Sequence, residues 1–160
     1  MSRARPRAAT LRHTTTGLLL LGTAGGLLSG CARSVEVTPP DHVAACEAAT
    51  PHWPASVSHH ARRSVSVPTG DASDARAWGD PAVIATCGWP AVGPTTAQCL
   101  EVSGVDWVST PLSDGTKFTT FGTDPAIEVL VPRAYAPEPL LLPAFGAAAK
   151  ALPTNGRHCT

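Results

Sequence analysis

Cysteine spacing is the feature that most constrains how this chain can fold. Cys46, Cys87, Cys99 and Cys159 are spread widely along the 160-residue sequence, and Cys31 stands apart near the amino end. An even set of widely spaced cysteines is typical of a small exported domain held together by disulfides. A zinc site is the competing interpretation, but the set contains no C-x-x-C pair. We therefore predict two structural disulfides and no metal site.

The sequence leaves the pairing of these four cysteines open, because four cysteines allow three connectivities. We favour Cys87–Cys99, which would span a Gly- and Pro-rich loop between neighbouring strands. The second bridge would then be Cys46–Cys159, which ties the first predicted helix to the carboxyl end. In the chain-entropy model the long-range bridge contributes about 4–5 kcal/mol and the local bridge about 3 kcal/mol.

The first 30 residues have the organisation of a signal peptide. Residues 1–16 are basic, no acidic residue precedes Cys31, and residues 17–28 are apolar. This apolar stretch is too short for a membrane-spanning helix, which needs about 20 apolar residues. We predict that residues 1–30 direct export and are then removed.

A lipidation motif ends this segment. Leu28-Ser29-Gly30-Cys31 resembles the bacterial lipobox, in which the Cys thiol takes up diacylglycerol and cleavage leaves that Cys as the new amino terminus. The alternative is an ordinary secreted protein with Cys31 in a disulfide, but lipidation accounts for the odd fifth cysteine. We therefore expect a lipoprotein that acyl chains such as palmitate hold on the extracytoplasmic face of the cell membrane.

The charge of the mature chain limits its partners. Eight Lys and Arg follow Cys31 against twelve Asp and Glu, a net charge of −4. Nucleic acid would call for a basic patch, and anionic lipid for a polybasic segment. Besides the membrane reached through the lipid anchor, we expect an unknown envelope protein or glycan as partner, and neither nucleic acid nor a cofactor.

Short apolar segments joined by tight turns predict a β-sheet. The turns Ser103-Gly104 and Asp114-Gly115 favour hairpins, which indicates an antiparallel meander. Apolar alternation places Ile127, Val129 and Val131 on one face of a strand. We predict five strands, over 82–87, 98–102, 105–109, 116–121 and 126–131, and a weaker one over 64–67.

Two helices are predicted to flank the strands. Asp41 is a plausible N-cap for a helix over 42–49, and four apolar residues near the carboxyl end share a face at helical spacing. The predicted fold is therefore α+β, with an antiparallel meander sheet covered by an N-terminal and a C-terminal helix. This single small domain spans residues 41–160 and follows a lipidated Cys and tether at 31–40. The four residues of the second helix are Leu141, Phe145, Ala148 and Leu152.

Three tryptophans are the candidate binding residues. Trp78, Trp89 and Trp107 lie on or beside predicted strands, and their flat apolar faces could line a groove for a sugar or peptide. The other interpretation, which we favour, is that they fill the core beside a disulfide, as aromatic residues of small exported domains often do. Asp80 and Asp106 accompany two of these tryptophans and complete the candidate binding set.

No catalytic motif is present, since the sequence lacks G-x-S-x-G, H-E-x-x-H, a P-loop and G-x-G-x-x-G. Asp80, Asp106 and Glu128 could be paired carboxylates for acid–base work, although a turn or solvent contact explains them as well. The adjacent pair His59-His60 is not expected to bind one metal ion together, because neighbouring residues of a strand point to opposite faces. We expect the pair in a solvated loop. We assign no catalytic residue.

Between residues 77 and 90, A-W-G-D-P-A-V-I-A-T-C-G-W-P, the sequence resembles domain of unknown function family 3515, small exported and often lipidated proteins of actinobacteria. The resemblance covers roughly residues 37–159. It implies two bridges, because the family places its own cysteines at the same four positions, and it implies an envelope location. No activity, cofactor or catalytic residue comes with it. It also rests on Cys99, on G-V-D-W at 104–107, F-T-T-F-G at 118–122 and P-A-I-E-V at 125–129.

Two functional hypotheses follow. The first is a non-catalytic, membrane-tethered envelope protein that binds another component through its Trp-containing region or serves as an assembly factor. The second is an envelope enzyme acting on glycan or peptidoglycan, which would need two carboxylates in one cleft at roughly 5–10 Å. Because no catalytic motif is present, the binding or assembly module is preferred.

Overall fold

Two β-sheets form the framework of the domain. The computed structural model describes residues 33–160, so the predicted signal peptide, the lipobox and Cys31 lie outside the described residues. β1 (Val35–Glu36) and β4 (Val65–Ser66) pair in parallel. The other eight strands form one sheet in which every pairing is antiparallel. They are β2 (Ser56–Val57), β3 (His60–Arg63), β5 (Ala75–Trp78), β6 (Val83–Trp89), β7 (Cys99–Val102), β8 (Val105–Pro111), β9 (Gly115–Phe121) and β10 (Ala126–Pro132).

The strand order of the large sheet is β2-β3-β5-β6-β10-β9-β8-β7. The predicted antiparallel meander is confirmed for β7 to β10, and the five predicted strands correspond to β6 to β10. After β6, however, the chain crosses to the far edge of the sheet and returns strand by strand until β10 pairs with β6. β6 and β7 are consecutive in sequence but separated by three strands in space.

One face of the sheet, the core face, carries the apolar residues. Phe118, Ile127 and Val129 are all fully buried there, as the alternation in β10 predicts. The ring of Trp78 meets that of Phe145 edge to face, with centroids 5.3 Å apart. The opposite face, called the outer face, carries Thr86, Asp106, Thr119, Phe121 and Glu128. Polar groups therefore collect on the outer face.

The amino-terminal helix differs from the prediction. In place of an α-helix over 42–49 capped by Asp41, a 3-10 helix runs over Ala44–Ala48, with Val43 at its N-cap and no side-chain cap hydrogen bond. A second 3-10 turn, Thr50–His52, follows. So short a segment gains too few hydrogen bonds to nucleate an α-helix.

The carboxyl-terminal helix is also mostly 3-10. It runs over Glu138–Phe145, encloses Pro143 and continues into α1 (Gly146–Lys150). Pro143 cannot donate the backbone hydrogen bond that an α-helix interior needs. The predicted apolar face is nevertheless buried, since Leu141, Phe145, Ala148 and Leu152 all belong to the core. No helix within residues 33–160 is long and apolar enough to cross a membrane.

The two predicted disulfides are present, but their predicted pairing, Cys87–Cys99 and Cys46–Cys159, is wrong. The bridges are Cys46–Cys87 and Cys99–Cys159. The prediction took β6 and β7 for neighbours, whereas three strands separate them and their cysteines point to opposite faces. Cys87 therefore meets Cys46 on the core face, and Cys99 meets Cys159 on the outer face.

Candidate functional site

The three tryptophans do not line a common groove. Trp78 and Trp107 are 0% exposed and belong to the core. Trp89 is half-buried, and its indole Nε1–H donates to Thr86 Oγ1 on the outer face at 2.8 Å. A groove lined by all three tryptophans is therefore excluded, and the favoured interpretation, core packing, is confirmed for Trp78 and Trp107. Removing the large apolar area of a tryptophan ring from water stabilises the folded state. Two of these rings therefore lie in the core.

The three predicted carboxylates do not share a cleft. Asp80 lies in the turn after β5, with its side chain 88% exposed and 3.7 Å from an Arg63 nitrogen. Glu128 is paired with Lys117, Nζ to Oε1 3.0 Å. Asp106 lies on the same outer face as Glu128 but two strands and two residues away, on the order of 12 Å between Cα atoms. Each carboxylate has a different basic partner, Arg63 for Asp80, Lys117 for Glu128 and His158 for Asp106.

The His59-His60 region is structural rather than a ligand cluster. His60 packs on the Tyr135 ring with centroids 4.3 Å apart. The guanidinium groups of Arg62 and Arg63 donate to backbone carbonyls, including those of Pro54 and Gly79. Within residues 33–160, no group of three or more His, Cys, Asp or Glu is placed to hold a metal ion.

Of the predicted binding residues, Asp106 alone lies in a distinct concavity. This tail pocket, of about 150 Å³, is bounded by the β7–β8 turn, the end of β9, α1 and the carboxyl-terminal tail (residues 154–160). Two larger depressions, of about 350 and 380 Å³, adjoin it at His158. The pocket therefore lies where four separate parts of the chain meet.

The tail is held in place by covalent and backbone contacts. The Cys99–Cys159 bridge ties its end to β7, and the Asn155 N–H donates to the Gly122 carbonyl at 2.9 Å. Gly122 has φ +86°, and a Cβ there would collide with the Arg157 carbonyl oxygen. Only glycine permits this close passage of two backbones. The tail is thus a fixed wall of the pocket.

Asp106 connects the sheet to the tail. Its side chain is 11% exposed, and its Oδ2 lies 3.1 Å from His158 Nδ1 and accepts the Cys159 N–H at 3.2 Å. The carboxylate therefore links β8 to the tail and orients the His158 ring. A charge-assisted hydrogen bond of this kind is stronger than a neutral one.

Two cations in the pocket have no carboxylate partner in the described part of the chain. Lys150, at the end of α1, forms no ion pair there, and its Nζ lies beside Gly104 in the β7–β8 turn. Arg157 donates one N–H to the Val92 carbonyl at 3.1 Å. The pocket therefore has a positive excess, although the residues after Cys31 include twelve Asp and Glu against eight Lys and Arg.

Sequence reasoning missed Lys150, Arg157 and His158. They join Asp106 only because α1 and the tail pack beside β8, more than 40 residues away in sequence. No local spacing marks such a set. The one available signal was that basic residues lie beside Cys159, a cysteine expected to be anchored.

A second cluster lies at the other end of the domain. Asp74 is buried, and its Oδ2 lies 2.7 Å from His42 Nδ1. The hydrogen bond to Asp74 raises the pKa of His42 above its usual value, with Asp71 and Glu47 adding to the effect. Asp71 accepts the Ser73 N–H, which lowers the pKa of Asp71. This cluster joins the first 3-10 helix to the start of β5.

Comparison with known proteins gives one match. A family model described as a protein of unknown function, DUF3515, matches residues 31–155. No curated protein matches the chain, and no solved structure matches it.

Proposed function

The chain belongs to DUF3515, a family of proteins of unknown function, and from its own residues we propose that it is a lipid-anchored, non-catalytic binding or assembly module of the bacterial cell envelope. The membrane would be reached through the anchor, on the extracytoplasmic face. The second partner would be an envelope protein or glycan that contacts the folded domain.

The main evidence for the lipid anchor is the number and pairing of the cysteines. Both bridges are formed within the described domain, which leaves none of its cysteines to pair with Cys31. Cys31 is also the cysteine of the lipobox-like sequence Leu28-Ser29-Gly30-Cys31. Lipidation gives this remaining thiol a chemical role, and two acyl chains would hold a protein at a membrane where one would not.

The two bridges also support a location outside the cytoplasm, because structural disulfides persist in oxidising compartments. Cys46 and Cys87 are both fully buried, which is typical of a structural bridge rather than a redox-active one. The family match begins at residue 31, so the matched region starts at the cysteine proposed to be lipidated.

The tail pocket is the best-supported contact site. It combines apolar walls with unpaired charge, whereas the tryptophans proposed from sequence are mostly in the core. A concave apolar site with a few convergent polar groups is the usual form of a ligand pocket. The net charge of −4 in the mature chain again argues against nucleic acid.

The anchor is tested by intact-mass spectrometry of the protein purified from membranes of the producing bacterium. We expect a mass that corresponds to a chain starting at Cys31 with acyl chains attached, and a Cys31→Ala variant that carries no lipid. A wild-type mature chain without lipid would overturn the proposal.

The binding role is tested by crosslinking in intact cells, followed by purification of the anchored protein. The wild type should capture a discrete envelope component, and Lys150→Ala should lose it. Lys117→Ala is the matched control, because Lys117 is the other lysine of the chain and lies outside the pocket. Equal capture by both variants would exclude the tail pocket as the contact site.

A further inference from the structure

The tail pocket has the dimensions of a small-molecule site. Its volume is about 150 Å³, and an engineered protein cavity of about that size binds one benzene molecule. Apolar walls come from buried Val105 and Ala149 and from the half-buried ring of Phe121. A compact apolar group would therefore be removed from water here.

The charge in the pocket favours an anion. Lys150 and Arg157 are unpaired within residues 33–160, while the single carboxylate of the pocket, Asp106, is already engaged by His158 and the Cys159 N–H. A neutral ligand would leave both cations without a counter-charge as it displaced water. Both side chains are exposed at the mouth of the pocket. An anion would pair with both through charge-assisted hydrogen bonds, which are stronger than neutral ones.

The two cations have complementary chemistry. Lys150 presents a compact ammonium beside Gly104, and Arg157 keeps most of its guanidinium donors free after its hydrogen bond to Val92. A planar guanidinium matches the two oxygens of a carboxylate. Because Arg157 belongs to the tail that the Cys99–Cys159 bridge holds, this donor is preorganised.

We propose that the tail pocket binds a small organic carboxylate whose apolar body, about the size of one ring, packs against Phe121 while its carboxylate group pairs with Lys150 and Arg157. This deepens the proposed function, because it names the class of ligand that the contact site would bind. The role of that ligand in the cell rests on the proposed function, whereas the binding itself can be tested without it. The ligand could be free or be the carboxylate end of a larger envelope component.

The chain offers a direct readout because it has two lysines, Lys117 and Lys150. Lys117 is paired with Glu128 on the outer face, and Lys150 lies in the pocket. The purified full-length protein would be treated with an amine-acylating reagent, and modification at each lysine followed by mass spectrometry. The probes are benzoate, its neutral isostere benzamide, and inorganic phosphate at matched ionic strength.

We expect benzoate to slow acylation of Lys150 while Lys117 reacts at an unchanged rate, and benzamide and phosphate to have little effect. Direct calorimetric titration with benzoate should show affinity falling about tenfold in Lys150→Ala or Arg157→Ala, the scale of one charge-assisted contact. Lys117→Ala should bind as the wild type does, and Lys150→Arg should retain most of the affinity.

If phosphate protected Lys150 from acylation as well as benzoate does, the proposed apolar body of the ligand would be overturned. If benzamide did so, the proposed negative charge of the ligand would be overturned. No protection of Lys150 by any probe would overturn the ligand class altogether. These outcomes are independent of the anchor and of partner capture in cells. If the anchor and capture experiments failed while benzoate still bound, the proposed function would be rejected. The proposed ligand class of the tail pocket would still stand.

Discussion

His42 Nδ1 lies 2.7 Å from Asp74 Oδ2, and that carboxylate is 1% exposed. A buried carboxylate has lost most of its hydration and depends on its remaining partners. Oδ1 of Asp74 has no hydrogen-bond partner within residues 33–160. The imidazole of His42 is therefore the main compensation for this charge, and it joins the segment before the first 3-10 helix to the turn before β5.

This contact predicts a pH-dependent stability. The pKa of His42 is raised in the folded state, mainly by the hydrogen bond to Asp74. The stabilisation is thus fully present below the unfolded-state pKa of about 6.5 and is lost as pH rises through the raised folded-state pKa. We expect the free energy of unfolding to fall over that range in the wild type and to vary less in His42→Gln.

Urea denaturation at a series of pH values would measure this, with the folded-state pKa of His42 taken from an NMR titration. His52→Gln is the control, because His52 is exposed and outside the cluster. If His42→Gln and the wild type show the same pH profile, the contact does not contribute.

The disulfide pairing is open to a direct chemical check. Peptide mapping without reduction should recover Cys46 linked to Cys87 and Cys99 linked to Cys159. A peptide joining Cys87 to Cys99 would contradict the topology, because it would require β6 and β7 to lie side by side.

Removal of the two bridges should have different effects on ligand binding and on stability. Their loops are 41 and 60 residues long, so the chain-entropy model gives each about 4 kcal/mol. A Cys99→Ala/Cys159→Ala double variant should keep the core but release the tail, and so weaken benzoate binding. A Cys46→Ala/Cys87→Ala variant should lower stability through the core itself. Equal loss of benzoate binding in both variants at a temperature where both are folded would argue against a tail-specific role.

Core packing is tested at the edge-to-face contact of Trp78 with Phe145. Phe145→Ala should lower the free energy of unfolding by about 3–5 kcal/mol, since it removes a fully buried ring and leaves a cavity. Leu140→Ala, in the same 3-10 segment but 72% exposed, should change it by less than about 0.5 kcal/mol. Equal effects of the two substitutions in urea denaturation would place Phe145 outside the core.

Gly122 is predicted to be the most sensitive glycine of the tail region. Gly156→Ala places a side chain at φ +75° in open space and should cost about 1–2 kcal/mol from backbone strain alone. Gly122→Ala adds a collision with the Arg157 carbonyl, so it should cost more and also weaken benzoate binding. Gly93→Ala, at a position with open space and no positive φ, should be nearly neutral. Thermal unfolding of the three variants would establish the order, and Gly122→Ala no worse than Gly156→Ala would contradict the close passage.

The predicted strands agree with the structure because their signal is local. In β10, Ile127, Val129 and Val131 alternate with Glu128, and a strand of period two converts that alternation directly into a core face and an outer face. The helices were harder to predict, because Pro143 and the short segment at 44–48 change hydrogen-bond geometry without changing the apolar pattern.

The candidate site could be predicted only in part. Asp106 was identified as a polar residue beside a strand tryptophan, but its neighbours Lys150, Arg157 and His158 come from elements distant in sequence. Core packing, the favoured interpretation of the tryptophans, is confirmed for Trp78 and Trp107, whereas Trp89 is half-buried. The sequence alone does not reveal which side of a sheet each ring occupies.

By itself the sequence determined that this domain is built from short antiparallel strands and that its cysteines at 46, 87, 99 and 159 form two bridges. Only the tertiary structure decided which cysteines are partners and where the charged pocket lies. The reason is the pairing of β6 with β10. Turn chemistry and alternation act over a few residues, whereas the choice of a distant strand partner depends on how the whole core packs.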